Sequence, residues 1–281
     1  MSAEVALRST NLWYSYPSRP ESVVLAGVSA TIYKGEFVAL IGQNGSGKTT
    51  FAKHFNALLR PQKGNVEVNG VDIGSRLTAT LASTIGYCYQ NPDHQIFAAT
   101  VAAEIEFGPR NLGVPEVEIH ARTGRLLDLV GLRDEAHSYP FGLGRGERQK
   151  LAVASVLATE PQILIVDEPT TGLDSKGGHA MMEVMRQLNE DGHTLIIITH
   201  DMNIVAEYSR RVLCMANGRI VADGNPSTVF SNHAALAEAG LRPPQAARIA
   251  QARPDMFSLD VITVAGAVAE LSRRTVDRAA S

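Results

Sequence analysis

The chain has 281 residues, of which 44% are hydrophobic and 20% charged, and its formal net charge is −3. This balance is ordinary for a globular protein and supplies no basic excess, which argues against nucleic acid as the main partner. No apolar run approaches the roughly 20 residues that cross a bilayer, and the first ten residues contain no apolar signal-peptide core.

The cysteines and histidines give no sign of a metal site in the sequence. The two cysteines, Cys88 and Cys214, are far apart in the sequence and lack the spacing of metal ligands. We expect them to be buried thiols in a reducing compartment. The eight histidines form no ligand cluster in the sequence. These features indicate a soluble, cytoplasmic protein and leave its function open.

Antiparallel strand pairs are predicted on both sides of a buried strand near the start of the chain. The segment "VSATI" (28–32) alternates apolar and polar residues, and "NVEVNGVDI" (65–73) carries an Asn-Gly turn between two short strands. Between them, "FVALI" (37–41) is continuously apolar, which is typical of a strand buried on both faces of a parallel sheet. A helical pattern follows over about 49–59.

The middle of the chain, from about 100 to 160, has a helical pattern. Prolines at Pro109, Pro115 and Pro140 are expected to break it into separate helices. A long helical stretch between strands predicts a helical insertion into an α/β core.

Buried strands return after this insertion. The runs "ILIV" (163–166) and "TLIII" (194–198) are apolar throughout, and helical patterns follow them near 175–190 and 201–209. A second hairpin turning on Asn-Gly is predicted at 217–218.

The composition of the C-terminal region differs from that of the preceding chain. After Pro226 it shifts to Ala, Arg and Pro, and "GLRPPQ" (240–245) marks a break. The last fifty or so residues are therefore expected to be either a small helical appendage or partly loose.

The stretch "GQNGSGKTT" (42–50) lies at a strand-to-helix turn and predicts a phosphate-binding loop. Gly45 and Gly47 allow positive φ and a close approach of the backbone to a ligand. Consecutive amides then point inward, and the helix adds the positive end of its dipole. Lys48 can reach the β- and γ-phosphates, and the Thr49 hydroxyl can ligate Mg²⁺. The candidate nucleotide-binding residues of the loop are Gly42, Asn44, Gly45, Ser46, Gly47, Lys48, Thr49 and Thr50.

A pair of carboxylates ends the second buried strand and completes the predicted Mg²⁺ site. Asp167 lies where it can hold Mg²⁺ through water, and Glu168 is placed to polarise an attacking water. Such a pair alone is often a solvated strand end, but beside a phosphate loop it indicates nucleotide hydrolysis. His200 ends a third strand and could contact the γ-phosphate, although a lone histidine at a strand end is more often structural.

With these motifs in this order, the sequence resembles the ATPase subunit of an ABC transporter over residues 5–230. The resemblance assigns 42–50 to Walker A, 163–167 to Walker B, Glu168 to the general base and His200 to the switch histidine. It implies ATP and Mg²⁺ as cofactors. The implied α/β fold is a P-loop NTPase cassette with a mixed central sheet, an antiparallel β subdomain and a helical subdomain at about 92–160. A small helical extension at 231–281 follows it.

The same resemblance implies roles for three residues outside these motifs. Gln90, after "IGYCY", corresponds to the Q-loop glutamine, which senses Mg²⁺ and couples to the membrane partner. Asp174 in "TTGLD" corresponds to the acid of the D-loop. Tyr16 in "LWYSYP" corresponds to the aromatic residue that stacks on adenine, with Tyr14 and Trp13 as alternative rings.

A narrower similarity links "QNPDHQIFAATVAAEIEFGPRNLG" (90–113) to the ATPases of energy-coupling-factor transporters, which serve vitamin and nickel or cobalt importers. In that subgroup this segment lies at the groove that receives coupling helices of the membrane T component. Exposed aromatic anchors usually mark interfaces, which favours docking over the alternative that the apolar pair 96–97 belongs to the core. The docking surface implied by the similarity is His94, Gln95, Ile96 and Phe97.

The family's signature, Leu-Ser-Gly-Gly-Gln, is altered in this chain. Gly144 replaces the serine whose hydroxyl would donate to the γ-phosphate, and a hydrogen bond to a charged group is worth about 1.5–3 kcal/mol. We therefore expect weakening by about one to two decades rather than abolition. Gly146 and the helix start can still face an anion, and Arg145 either brings positive charge to the phosphates or points to solvent. The aligned residues are Leu143, Gly144, Arg145, Gly146 and Glu147.

The resemblance implies an ATP-hydrolysing subunit of an energy-coupling-factor importer of a micronutrient, attached peripherally to the cytoplasmic face of the membrane. Two such subunits sandwich two ATP molecules, and each site takes the signature from the other chain. Their motion passes to the T component and indirectly to the substrate-binding S component. Because this chain keeps the catalytic residues and lacks the signature serine, we favour a heterodimer with a second cassette over a homodimer.

Two alternatives remain at this point. The ATPase of a conventional binding-protein-dependent importer is disfavoured by the "NPDHQIF" stretch. A soluble ABC ATPase acting on ribosomes or DNA is disfavoured by the single cassette, the ordinary length of the insertion and the absence of a basic excess. The family leaves the choice of substrate to a separate membrane protein, and nucleic acid is not expected as a partner.

Overall fold

The computed structural model describes residues 4–280, with side chains up to Thr275. Residues 1–3 and Ser281, the last residue of the predicted C-terminal extension, lie outside the described residues. None of the helices in residues 4–280 has the length and apolar character needed to cross a membrane.

The strands of the described chain form two sheets. They are β1 (Val5–Ser15), β2 (Val23–Tyr33), β3 (Phe37–Ile41), β4 (Lys63–Val68), β5 (Val71–Asp72), β6 (Ile85–Cys88), β7 (Ile163–Asp167), β8 (Thr194–Ile198), β9 (Arg211–Ala216) and β10 (Arg219–Gly224). The first sheet is antiparallel, in the order β2-β1-β4-β5. The second has the order β10-β9-β3-β8-β7-β6, and within it β10 pairs antiparallel to β9 while the other neighbours are parallel. The predicted mixed central sheet and antiparallel β subdomain are confirmed.

The helices lie between strands in the sequence and continue after β10. They are α1 (Lys48–Phe55), α2 (Thr78–Leu81), α3 (Val101–Asn111), α4 (Glu116–Val130), α5 (Arg145–Leu157), α6 (Ser175–Glu190), α7 (Met202–Tyr208), α8 (Pro226–Ser231), α9 (His233–Glu238), α10 (Gln245–Ala252) and α11 (Val264–Ala280). The helices predicted at 49–59, 175–190 and 201–209 correspond to α1, α6 and α7, and only the predicted end of α1 differs by several residues.

The central strands are apolar throughout because both faces of the mixed sheet are covered. In β3, Val38 and Leu40 face a cluster shared with the antiparallel sheet, whereas Phe37, Ala39 and Ile41 face a second cluster shared with α6 and α7. The alternation follows from the two-residue period of a strand. Alternate residues of β7 and β8 belong to the same two clusters, so the sheet separates two hydrophobic cores.

Both predicted Asn-Gly hairpins are confirmed. Asn69 and Gly70 join β4 to β5, and Asn217 and Gly218 join β9 to β10. All four residues have positive φ, between 49° and 76°. Positive φ at both central residues is the two-residue turn whose twist matches that of the flanking strands.

The parallel register brings three chain segments to one edge of the sheet. Leu40 of β3 and Asp167 of β7 both align with Ile198 of β8. Because β8 lies between β3 and β7, the residues that follow these three strands meet at their carboxyl ends. The phosphate loop, the carboxylate pair and His200 therefore share this edge.

The helical segment between β6 and β7 has its own core. Breaks predicted at Pro115 and Pro140 are confirmed, because Pro115 precedes the first residue of α4 and Pro140 lies in a short 3-10 turn before α5. The break predicted at Pro109 is wrong, since this residue lies within α3. Proline there forfeits the amide that would have bonded to the carbonyl of residue 105, and the helix ends only two residues later. The core contains Ile96, Val101, Ile105, Leu127, Val130, Leu132, Leu143, Leu151, Ala154 and Ala158.

The C-terminal region is helical, which confirms the predicted helical appendage rather than a loose segment. Leu236 and Ala239, from α9 and the residue after it, are buried in the cluster on one face of the mixed sheet. Ala250, Phe257 and Val261 form a small separate cluster around α10. The start of the predicted extension is thus packed onto the cassette, whereas its later part has a core of its own.

Candidate nucleotide-binding site

The phosphate loop connects β3 to α1 and has a backbone that requires glycine. Gly45 and Gly47 have φ of 82° and 104°, as their predicted role requires. A Cβ on Gly47 would lie 2.9 Å from Leu25 Cδ2. A Cβ on Gly42 would lie 2.3 Å from the Met215 carbonyl oxygen, so a larger residue at either position would push the loop away from the sheet.

The Lys48 side chain is hydrogen-bonded to the backbone of this loop. Its ammonium donates to the carbonyl oxygens of Gly42 at 2.7 Å and Gln43 at 3.0 Å. Burial lowers the pKa of Lys48, and the nearby carboxylates of Glu168 and Asp167 partly oppose that shift. A buried ammonium beside the start of a helix is suited to an anion with several oxygens.

Ser46 offers a further donor inside the loop. Its hydroxyl oxygen is buried and has no hydrogen-bond partner among the described residues. Buried hydroxyls normally have a partner, because leaving one unpaired is costly. A phosphate oxygen would satisfy this group, so the residues present fit a nucleotide phosphate.

A hydrogen bond joins the loop to the end of β7. The Thr49 hydroxyl donates to Asp167 Oδ2 at 2.8 Å. Burial raises the pKa of Asp167, while the Thr49 hydrogen bond opposes the shift. The Tyr87 hydroxyl, a residue outside the predicted motifs, lies 3.5 Å from the same carboxylate oxygen.

These oxygen donors fit Mg²⁺ in combination with a nucleotide. A hydroxyl and a carboxylate are hard ligands of the kind that Mg²⁺ prefers. Across the described side chains there is no group of three or more His, Cys, Asp or Glu residues that could hold a metal by themselves. A magnesium ion at Thr49 and Asp167 would therefore take its other ligands from phosphates and water.

Glu168 lies next to this pair with a restrained geometry. Its φ is 55°, a left-handed conformation that is uncommon for residues other than glycine and costs on the order of 1–3 kcal/mol. Its amide donates to the Ile198 carbonyl at 2.8 Å, which fixes the residue to β8. Its carboxylate lies 2.7 Å from Nδ1 of His200 and accepts a 3.4 Å hydrogen bond from Thr199. The structure thus brings together Lys48, Thr49, Asp167, Glu168 and His200.

Sequence reasoning missed Thr199. The residue is fully buried, and its hydroxyl contacts Glu168 Oε2 while it also accepts from the Asp201 amide at 3.1 Å. Its position directly before His200 was the only available signal. The contact depends on the alignment of β7 with β8, which a single sequence does not contain.

An aromatic residue lies beside the loop on the antiparallel sheet. The Tyr16 hydroxyl is 2.9 Å from Thr50 Oγ1, and the ring is partly exposed at a cavity of 390 Å³. Tyr14 is buried and packs edge-on against His54, and Trp13 donates instead to Asn11 Oδ1. Of the three candidate rings, Tyr16 is the one that lines this cavity, and its stacking on a base stays a prediction. The cavity is lined by Tyr16, Ser18, Arg19, Ser22 and Val24.

Two predicted site residues lie apart from this cluster. Gln90 is exposed after β6, and no side-chain hydrogen bond in the described chain joins it to Asp167. Asp174 caps α6, since its Oδ1 accepts from the Gly177 amide at 2.7 Å. Their assigned roles remain predictions.

The altered signature stretch starts α5. Glu147 Oε2 accepts from the Gly144 amide at 2.8 Å, so a carboxylate of the chain already occupies the beginning of this helix. The aliphatic part of the Arg145 side chain lies against Gly172. A Cβ added to Gly172 would be 3.0 Å from Arg145 Cγ. The Arg145 guanidinium is exposed and has no hydrogen bond or ion pair within the described residues. Leu143 is buried and Gly146 half-buried.

The predicted docking surface is only partly exposed. Ile96 is 4% exposed and belongs to the core of the helical segment, so its assignment to the docking surface is wrong. Its apolar side chain is buried between α3 and α5 because the 3-10 turn before it directs it inward. Gln95 is half-buried and donates to the Ala152 carbonyl at 2.7 Å. His94 is exposed, and Phe97 is 60% exposed.

A buried carboxylate holds Phe97 at the surface. Glu104, 3% exposed, accepts hydrogen bonds from the amides of Phe97 at 3.0 Å and Ala98 at 2.8 Å. The Phe97 ring packs edge-on against Phe107, with ring centroids 4.6 Å apart. Both rings border a groove of 240 Å³ between β6, α3 and α5.

Comparisons with known proteins place this geometry in a family. A family model described as ABC transporter matches residues 25–171. A putative ABC transporter ATP-binding protein of Caldanaerobacter subterraneus is 46% identical over 241 residues, which is 86% of this chain. The energy-coupling factor transporter ATP-binding protein EcfA of Methanocaldococcus jannaschii is 38% identical over 245 residues, covering 86% of this chain and 87% of that protein.

A solved structure extends the similarity to the fold. CbiO1 from Clostridium perfringens, described as part of the ABC transporter complex CbiONQ, matches with a TM-score of 0.74 and 33% identity, covering 89% of this chain and 99% of that chain. The chain spans 42%, 39% and 36% of the length of the first three curated relatives that it matches. The loop, the carboxylate pair and these matches together establish that the chain belongs to the ABC transporter family of ATP-binding proteins.

Proposed function

We propose that the chain is the ATP-hydrolysing subunit of an energy-coupling-factor importer of a vitamin or a transition-metal ion. The observation that carries the proposal is the cluster in which Lys48, Thr49, Asp167, Glu168 and His200 meet at one sheet edge. The names of EcfA and CbiO1 support the transporter type. The subunit would act at the cytoplasmic face of the membrane, held there by its partners.

The cluster supplies the parts needed for phosphoryl transfer to water. Lys48 and the loop amides hold the β- and γ-phosphates of ATP, and Tyr16 packs on the base. Mg²⁺, when held by Thr49 and Asp167, supplies positive charge to the phosphate oxygens.

Glu168 acts as the base in this mechanism. Its carboxylate orients the attacking water and accepts a proton as the new oxygen–phosphorus bond forms and the bond to ADP breaks. His200 and Thr199 fix the carboxylate through the contacts described above. A base held in one orientation loses little entropy on reaching the reactive geometry.

A second cassette completes the site in this proposal. In the described residues no hydrogen bond joins the signature stretch (143–147) to the phosphate loop (42–50) of the same chain. The start of α5 would therefore face the nucleotide of another subunit rather than that of its own chain. Most protein oligomers are symmetric, which makes the homodimer the competing arrangement.

The chemistry of the altered signature favours a heterodimer. Gly144 lacks the serine hydroxyl, and the Glu147 carboxylate already accepts the Gly144 amide at 2.8 Å. A carboxylate at a helix start competes with a phosphate for the same positive end of the helix dipole. The chain therefore combines a complete phosphate-loop side with a weak signature side, which suits a dimer with one fast and one slow site.

Docking to the T component is proposed at the surface around His94 and Phe97. The exposed Phe97–Phe107 pair is an aromatic anchor of the kind found in the buried centres of interfaces. Gln90, at the start of the same connection, would couple this surface to the site. The S component would be reached only through the T component.

The general-base role predicts a specific defect for Glu168→Gln. Turnover should fall by at least about 100-fold, because the amide cannot accept the proton, while ATP affinity is retained. ATP hydrolysis and nucleotide affinity would be measured on the purified complex. Hydrolysis near the wild-type rate would exclude Glu168 as the base.

Lys48→Ala provides the contrasting control. Because Lys48 contacts the phosphates rather than the water, this variant should lose ATP binding itself.

The docking proposal predicts that Phe97→Asp releases the subunit from its membrane partner. A buried carboxylate at an apolar contact is strongly unfavourable, whereas the free cassette exposes this side chain to water. Membrane association would be measured by co-purification with the T component, alongside ATP binding. Val117→Asp, at a residue 84% exposed on α4, is the matched control and should remain associated.

Two results would contradict the docking surface. One is a Phe97→Asp variant that stays bound to the membrane partner, and the other is a variant that fails to fold, which would make Phe97 a structural residue.

The heterodimer proposal is tested by restoring the signature with Gly144→Ser and Arg145→Gly together. If the altered signature serves only the slow site, the double variant should change the ATPase rate of the complex little. In a homodimer the same change should raise the rate by about one to two decades, from the hydrogen-bond energy of the restored serine. A large gain, or full ATP hydrolysis by the purified chain alone, would overturn the heterodimer.

A further inference from the structure

The segment that follows α9 contacts the phosphate loop directly. The Gln43 amide donates to the Ala239 carbonyl at 3.1 Å, although the two residues are almost 200 positions apart. The Gln43 carbonyl in turn accepts from the Lys48 ammonium at 3.0 Å. Gln43 thus lies between the C-terminal segment and the lysine of the loop, with one backbone group bonded to each.

The Ala239–Gly240 turn is shaped to receive Gln43. Gly240 has φ of 65°, and a Cβ on it would lie 2.7 Å from Gln43 Oε1 and 3.4 Å from Gln43 Cδ. A residue with a side chain at this position would be strained and would also displace the Gln43 side chain. Glycine at this position leaves room for the end of the Gln43 side chain against the turn.

The turn is anchored rather than frayed. Ala239 is fully buried and Leu236 is 2% exposed, both within the cluster on the mixed sheet. The amide of Leu241 donates to the Leu236 carbonyl at 2.8 Å, and that of Gly240 to Ala237 at 3.1 Å, which closes the end of α9. A fixed turn can hold the Gln43 peptide in one orientation.

We propose that the Ala239–Gly240 turn positions the phosphate loop and thereby sets the affinity for ATP, an inference that rests on the proposed function. The turn accepts the Gln43 amide and so orients the peptide group between Gly42 and Gln43, whose Gly42 carbonyl accepts from the Lys48 ammonium at 2.7 Å. Because the turn is bonded to the first peptide of the loop, a shift of the turn would also shift the carbonyls that Lys48 contacts. Ala239 and Gly240 are positioning residues, because they act on the nucleotide only through Gln43.

The full-length chain offers a matched pair of variants to test this role. Gly240→Ala adds a methyl group against Gln43, whereas Gly131→Ala adds one at the end of α4, where φ is 68° and a Cβ meets nothing within 4 Å. Both glycines end a helix in the left-handed conformation, so both variants should lower the unfolding midpoint by a similar amount, about 2–4 °C.

Only Gly240→Ala should change nucleotide binding. Its dissociation constant for ATP with Mg²⁺, measured by titration calorimetry, should rise by about 3- to 10-fold, which corresponds to weakening one hydrogen bond of the loop. Adding Gln43→Ala to Gly240→Ala removes the atoms that the methyl meets and keeps the amide bonded to Ala239. The double variant should therefore bind ATP within about 2-fold of the Gln43→Ala single variant.

The possible results separate this inference from the proposed function. Unchanged affinity in Gly240→Ala, an equal loss in Gly131→Ala, or no relief by Gln43→Ala would each overturn the positioning role while the wild type still binds ATP. A wild-type chain that binds no ATP would overturn the proposed function itself, and this inference with it.

Discussion

The hydrogen bond from Thr49 to Asp167 is the contact on which the site depends. It ties the first turn of α1 to the end of β7, two strands away from the strand that leads into the loop. Strand β8 lies between them, and Thr199 and His200 directly follow it. With these ends held together, Glu168 is fixed over β8 in a conformation that an isolated turn would not adopt. The strain of that residue is maintained by the surrounding sheet.

The same sheet edge is connected to the other parts of the chain. Tyr16 reaches it from the antiparallel sheet, and Gly240 reaches it from the C-terminal helices. The signature stretch is joined to the segment after β7 through Arg145 and Gly172. These packed contacts connect the loop to the antiparallel sheet and to the C-terminal helices.

Much of the fold and part of the site could be predicted because their signals are local. The buried strands are continuous apolar runs, the hairpins carry Asn-Gly, and the phosphate loop is contiguous in sequence. Contacts between distant segments could not be predicted. The bond from Thr199 to Glu168 depends on strand register, and the bond from Gln43 to Ala239 depends on how α9 packs. Ile96 and Phe97 have similar apolarity, and only the fold decides which one is buried.

In the proposed site, Thr49 and Asp167 form the protein half of a magnesium site for ATP. The most direct measurement is the affinity for ATP with and without Mg²⁺, compared between the wild type and Thr49→Val. We expect Mg²⁺ to tighten ATP binding by the wild type. The valine variant, which lacks the hydroxyl ligand, should lose most of this gain and bind ATP without Mg²⁺ about as well as the wild type. A valine variant that keeps the full Mg²⁺-dependent gain would contradict the proposed magnesium site.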